Sequence, residues 1–174
     1  MCAASPTAAL VRLMAEFTHL DREGNALMVD ISDKEKTHRT AIACGFIHMN
    51  EEVVSQIASG SNKKGDILAA ARIAGIMAAK RTWELIPLCH QIMLTKVTID
   101  FSLDSEKSGL KCVCTAVSEG QTGVEMEALT GVSTALLTVY DMCKSADRSM
   151  TIGDIRLVRK SGGKSGTYTG EDIG

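Results

Sequence analysis

The sequence predicts an α+β domain of ferredoxin-like type, a βαββαβ sandwich whose antiparallel sheet is covered by helices on one face. Three observations carry that expectation. Val97, Ile99, Phe101 and Leu103 alternate with Thr98, Asp100 and Ser102, and DSEKSG then turns the chain back into Leu110–Val117, a central hairpin. A long helical stretch from Gly123 to Lys144 follows the hairpin. Strand-like segments at Thr40–Met49 and Thr151–Lys160 flank the arrangement, which completes the split order of that fold.

Each element has a local reason. Thr40 to Met49 places Ile42, Cys44, Phe46 and His48 on one face of a strand. Asn50 then caps a short helix with Glu51 and Glu52 in its first turn and Gly60 at its end. After SNKKG, Asp66 caps a second helix that runs to about Lys80, rich in Ala and with Gly75 at its middle, a composition suited to close packing. Pro87 ends the helical run that follows. The hairpin and the long helix come next, and Ile155, Leu157 and Arg159 alternate with Arg156 and Val158 in the last strand.

A single domain accounts for this order. Residues 17–160 form it, residues 1–16 are a flexible extension, and 161–174 are a Gly- and Ser-rich tail that moves until a ligand orders it and that contributes in part to the active site. The extension lacks a basic region ahead of its apolar residues, and Met14 offers an alternative start. No stretch reaches the length of a membrane span, and a formal charge of −2 argues against a nucleic-acid binder. Aromatic residues make up only 3%, so the core is built from small and aliphatic side chains, which favours further burial between subunits. The six cysteines include no CxxC pair and lie in apolar segments, which indicates reduced thiols, a cytoplasmic protein and no metal site.

Four constellations carry chemistry. Lys63, Lys64, Gly65 and Asp66 stand where a helix begins, a place that favours anions, although a solvated loop with an N-cap would read the same. His90 follows the apolar LIPLC and needs a hydrogen-bond partner, as a structural histidine would too. RLVRKSGGKSG gathers Arg156, Arg159, Lys160 and Lys164 around paired glycines; it is no P-loop, because Val158 stands where the first glycine is required. Asp141 and Lys144, three apart at the end of the long helix, share a face and offer an acid and a base. The surrounding residues are apolar, so Asp141 is expected at a buried edge or an interface, where an ion pair with Lys144 would also serve structure alone.

KGDILAAARIAGIMAAKRTWELIPLCHQIMLTKV, GVEMEALTGVSTALLTVYDMCK and IRLVRKSGGKSG together resemble the cyclic pyranopterin monophosphate synthase family of molybdenum-cofactor biosynthesis, over about Phe17 to Gly166. The resemblance implies conversion of 3′,8-cyclo-7,8-dihydro-GTP into cyclic pyranopterin monophosphate with release of pyrophosphate, a cyclising phosphorus-oxygen lyase reaction. By the same resemblance Asp141, Lys144 and Lys64 are catalytic, while Leu88, Cys89, His90, Glu125, Met126, Glu127, Lys160 and Arg39 bind substrate. It implies no cofactor, with Mg²⁺ accompanying the triphosphate, and a homohexamer built as a trimer of dimers. The chain departs from the family pattern at Gln91, where many members have Pro, and at Lys63, often His.

The chemistry fits these groups. Ring opening and closure require proton transfers, and Asp141 raises the pKa of Lys144, which suits Lys144 as general acid with Asp141 as base or orienter. Lys64, Lys160 and Arg39 suit the leaving pyrophosphate. Glu127 and Asp141 are fourteen residues apart, about 21 Å along a helix, so each site is expected to combine the two helix ends from neighbouring subunits. A non-catalytic nucleotide-sensing module would keep the lysines without needing Asp141; a phosphohydrolase would need clustered carboxylates or a nucleophile that the sequence does not bring together.

Overall fold

A computed structural model describes residues 19–21, 23–60, 65–164 and 166–172. The expectations for Lys63, Lys64 and residues 1–18 lie outside the described residues.

β1 (Thr37–His48) leads into α1 (Glu51–Ser59), α2 (Ile67–Ala79) and the single turn α3 (Thr82–Leu85); β2 (Leu94–Asp104) and β3 (Gly109–Gly120) form the hairpin. α4 (Glu125–Cys143) returns the chain to β4 (Thr151–Ser161), and β5 (Tyr168–Thr169) ends the order. The sheet runs β2-β3-β1-β4-β5, and every pairing is antiparallel. Its first four strands therefore have the ferredoxin-like order, with β5 added at the β4 edge.

The caps work as the sequence suggests. Asn50 accepts from Val53 N–H at 2.9 Å to start α1, and Asp66 Oδ1 accepts from Ala69 N–H at 2.9 Å to start α2. The i, i+3, i+4 spacing of Ala128, Gly131, Val132, Ala135, Leu136 and Val139 gives α4 one buried stripe, which packs on the sheet beside α2. A Cβ on Gly75 would stand 2.8 Å from the Gly131 carbonyl oxygen, so α2 and α4 approach backbone to backbone.

The first strand buries both faces, for different reasons. Ala41, Ala43 and Ile47 join the helix-covered core, while Cys44 and Phe46, on the alternate face, are also buried but stand outside that cluster. Small residues suit the helix side because α4 is close: a Cβ on Gly45 would meet Val132 at 2.8 Å and Leu136 at 2.9 Å. Cys112 and Cys114 are buried in the same core, and burial pushes both thiols up, Cys114 to about 12. That makes them packing groups, not nucleophiles.

Part of the tail is seated on the sheet edge. Tyr168 and Thr169 pair with Lys160 and Arg159, Gly170 N–H donates to Val158 at 2.7 Å, and Asp172 pairs with Lys111 at 2.7 Å. Backbone bonding to an open strand edge needs no side-chain periodicity, which is why composition gave no sign of it. No helix among the described residues is long and apolar enough to cross a membrane.

Candidate active site

Two adjoining cavities open at the N-terminal end of α4. The first, about 350 Å³, is lined by Leu88, Cys89, His90 and Ile92 from the loop after α3, by Thr122 to Glu127 except Val124, and by His19, Val29, Ile31 and Lys34 from the segment before β1. The second, about 590 Å³, is lined by Lys34, Glu35, Thr37, Arg39, Gln121, Lys160, Gly163 and Lys164 together with Thr122, Gly123 and Glu125. Lys34, Thr122, Gly123 and Glu125 border both. Eight of the eleven residues expected from sequence therefore meet here: Arg39, Leu88, Cys89, His90, Glu125, Met126, Glu127 and Lys160.

The first cavity holds an unusual carboxyl group. Glu127 is 3% exposed, its Oε2 has no hydrogen-bond partner, and it lies on the buried stripe of α4 as that stripe reaches the cavity. Burial pushes its pKa up to about 7, opposed by a bond to its own backbone N–H and reinforced by the charge of Glu125. A buried acceptor of this kind is completed by a ligand N–H. Cys89, beside it, has its thiol pushed up by burial and by the Glu127 charge, so it is held as a neutral wall. His90 Nε2 lies 2.8 Å from the Val29 carbonyl oxygen; a carbonyl only accepts, so this nitrogen carries a proton.

The second cavity is cationic, with Lys34, Arg39, Lys160 and Lys164 against Glu35 and Glu125. Arg39 is partly committed: Nε donates to Gly120 O at 2.8 Å and a terminal nitrogen to Gln121 O at 3.1 Å, which braces the loop that starts α4. Gly163, at φ 73° in the left-handed region, packs its Cα against the same guanidinium, where a side chain would collide. Lys160 pairs with Glu125 at 3.0 Å, both less than one-third exposed. Thr37 Oγ1 is buried without a partner on this wall. A polyanion would engage the cations and the Thr37 hydroxyl, drawing Lys160 away from Glu125.

Asp141 and Lys144 stand apart. Neither lines the two cavities; they pair with each other at 2.7 Å at the far end of α4, and Asp141 is 70% exposed. The expected buried edge is not present within one subunit, because α4 turns this face outward, with Leu137 one turn back also 59% exposed. Asp141 holds the Lys144 ammonium above its usual range, through the hydrogen bond first and the charge second. Among the described residues no three His, Cys, Asp or Glu side chains come together as a metal site.

Comparison with known proteins gives this geometry a setting. The MoaC family model matches residues 28–163, most of the chain. The chain belongs to the MoaC family. Two relatives are each named cyclic pyranopterin monophosphate synthase: one from Thermoanaerobacter sp. (strain X514), 56% identical over 154 residues that cover 88% of this chain and 98% of the relative, and one from Clostridium perfringens (strain 13 / Type A), 54% identical over 153 residues, covering 88% and 97%. The MoaC match begins at Met28 and ends at Gly163, so it includes Val29, Ile31 and Lys34 of the cavity wall before β1 and the paired glycines beside Arg39. Sequence reasoning missed Lys34, Thr37 and Gln121. No local pattern marks them, since each reaches the cavities from irregular chain or from a strand end.

Proposed function

We propose that this MoaC-family chain is a cyclic pyranopterin monophosphate synthase in molybdenum-cofactor biosynthesis. It takes 3′,8-cyclo-7,8-dihydro-GTP, releases pyrophosphate and acts as a cyclising phosphorus-oxygen lyase. The observation that carries the reading is the pairing of an N–H-accepting cavity, built on Glu127, with a cationic cavity that shares Glu125 with it. The guanine-derived part of the substrate fits the first, and the triphosphate, with any Mg²⁺ it brings, fits the second.

Each group then has a task. Glu125 and Glu127 accept from the purine-derived N–H groups, with Leu88, Cys89, His90 and Met126 as walls. Lys160 and Lys34 meet phosphate oxygens, and Arg39 shapes the loop beside them. Lys144, kept protonated by Asp141, delivers protons, and Asp141 orients it or receives protons in turn. As intramolecular attack forms the cyclic phosphate, cations on the leaving oxygens stabilise the developing pyrophosphate; Lys64 belongs with these.

Asp141 and Glu127, fourteen residues apart on one helix, are separated by about 21 Å. One nucleotide does not span this within a subunit, so the acid-base pair of one chain completes the cavities of another. The exposed apolar residues Leu137 on α4 and Ile73 and Met77 on α2 suit such a contact. A homohexamer, a trimer of dimers in the cytoplasm, provides it. Incubation with the cyclised GTP intermediate should yield a pterin product and pyrophosphate; no conversion by the folded oligomer overturns the assignment. Mixing Asp141→Ala and Glu127→Ala chains should restore part of the activity that each lacks, and absence of recovery rejects shared sites.

A further inference from the structure

The segment from Leu27 to Lys36 has no helix or strand of its own, yet it forms the outer wall of the first cavity through Val29 and Ile31. Lys34 extends from it to the seam where both cavities meet. Irregular chain of this kind keeps a lysine in place only if its backbone is tied down. Local bonds shape the turn, with Lys34 N–H donating to Ile31 O at 3.0 Å and Ser32 N–H to Asp30 at 2.9 Å, and distant side chains tie it to the rest of the fold. Gln121 Nε2 donates to Ser32 O at 3.1 Å and to Lys34 O at 2.9 Å, so one amide group holds both ends of the turn. Gln121 is itself held from behind, because Arg39 donates to the carbonyls of Gly120 and Gln121.

We propose that Gln121 is a positioning residue: its amide fork fixes the Ser32–Lys34 turn and so presents the Lys34 ammonium to the phosphate chain of a nucleotide-derived ligand. The polyphosphate part rests on the function proposed above; the tether does not. Side-chain chemistry makes the fork specific, since an amide nitrogen has two N–H groups for two carbonyls, whereas a carboxylate there would face both with oxygen. With the tether gone, Lys34 remains but its backbone must be ordered at each binding event, so affinity falls without any change in the reacting groups.

Four proteins test this: the natural chain, Gln121→Met, which keeps the shape without donors, Lys34→Met and the double variant. Hydrogen exchange across residues 29–36 should quicken in Gln121→Met. Affinity for inorganic triphosphate should fall about fivefold, the loss of one modest hydrogen-bonding contribution, and KM for the cyclised GTP intermediate should rise alike while kcat holds. In the Lys34→Met background the Gln121 substitution should weaken binding no further, because the residue acts through Lys34. Unchanged exchange in Gln121→Met, or independent losses that add in the double variant, would overturn the proposal. If the natural chain converts nothing while exchange and triphosphate binding follow the expected pattern, the reaction assigned above fails and the tether stands.

Discussion

Replacing Glu127 by Gln should make the protein more stable at pH 8 and a poorer binder of its ligand. The carboxyl group is 3% exposed, has one oxygen without a partner, and has its pKa pushed up from 4.5 to about 7. Between those values the unfolded chain has released the proton while the folded one keeps it, so stability falls as pH rises through this window and levels off above it. At ~1.4 kcal/mol per unit, the full cost is on the order of 3 kcal/mol, an upper bound once local relaxation is allowed for. Glutamine carries no charge at any pH and removes that slope. Urea unfolding of both proteins at pH 5, 6, 7 and 8, at one protein concentration, should show a difference in favour of the variant that grows with pH and flattens above about pH 7. A difference that stays constant across the series would refute the reasoning. Ligand affinity of the natural protein should rise through the same window as the carboxylate forms, and the variant should lack this rise.

Three further outcomes follow from particular contacts. Gly75→Ala should cost about 1–3 kcal/mol in thermal or urea unfolding, because the new methyl group meets the Gly131 carbonyl and α2 must move off α4. Lys160→Met should weaken inorganic triphosphate about tenfold by calorimetry, a loss moderated because the natural lysine must first leave Glu125. Asp141→Asn should leave unfolding nearly unchanged, since the pair is exposed, yet it removes the cause of the raised Lys144 pKa; the basic limb of the pH-rate profile should move to lower pH.

The elements that sequence made legible are those with periodicity or caps. Val97 to Leu103 alternates, Asn50 and Asp66 sit where helix N–H groups need acceptors, and the strand order follows from the split βαββαβ pattern. Gly75 was legible as a close-packing position for the same reason. What escaped was held by the backbone or defined by orientation. The segment carrying Lys34 is fixed by side chains 61 to 89 residues away, and β5 pairs through main-chain groups alone. Asp141 was expected at a buried edge or an interface because its neighbours are apolar; α4 is apolar on more than one face, and its Leu137 face turns away from its own sheet. Periodicity finds a stripe; it does not say what the stripe meets.

The charges at the two ends of α4 are arranged so that binding would exchange partners instead of creating them. Lys160 rests on the half-buried Glu125 and Lys144 on Asp141, and the second pair, open to solvent, is easily separated. Glu127 is the exception, buried beside the first cavity with one oxygen unsatisfied. A ligand that supplies only phosphate would trade one weak ion pair for another and gain little in discrimination. A ligand that also brings N–H donors to Glu127 relieves the one costly group in the site, and leaving that group unpaired is what penalises a wrong ligand. On the function proposed above, affinity for the class of ligand resides in the lysines, and the choice among members of that class resides at the buried start of α4.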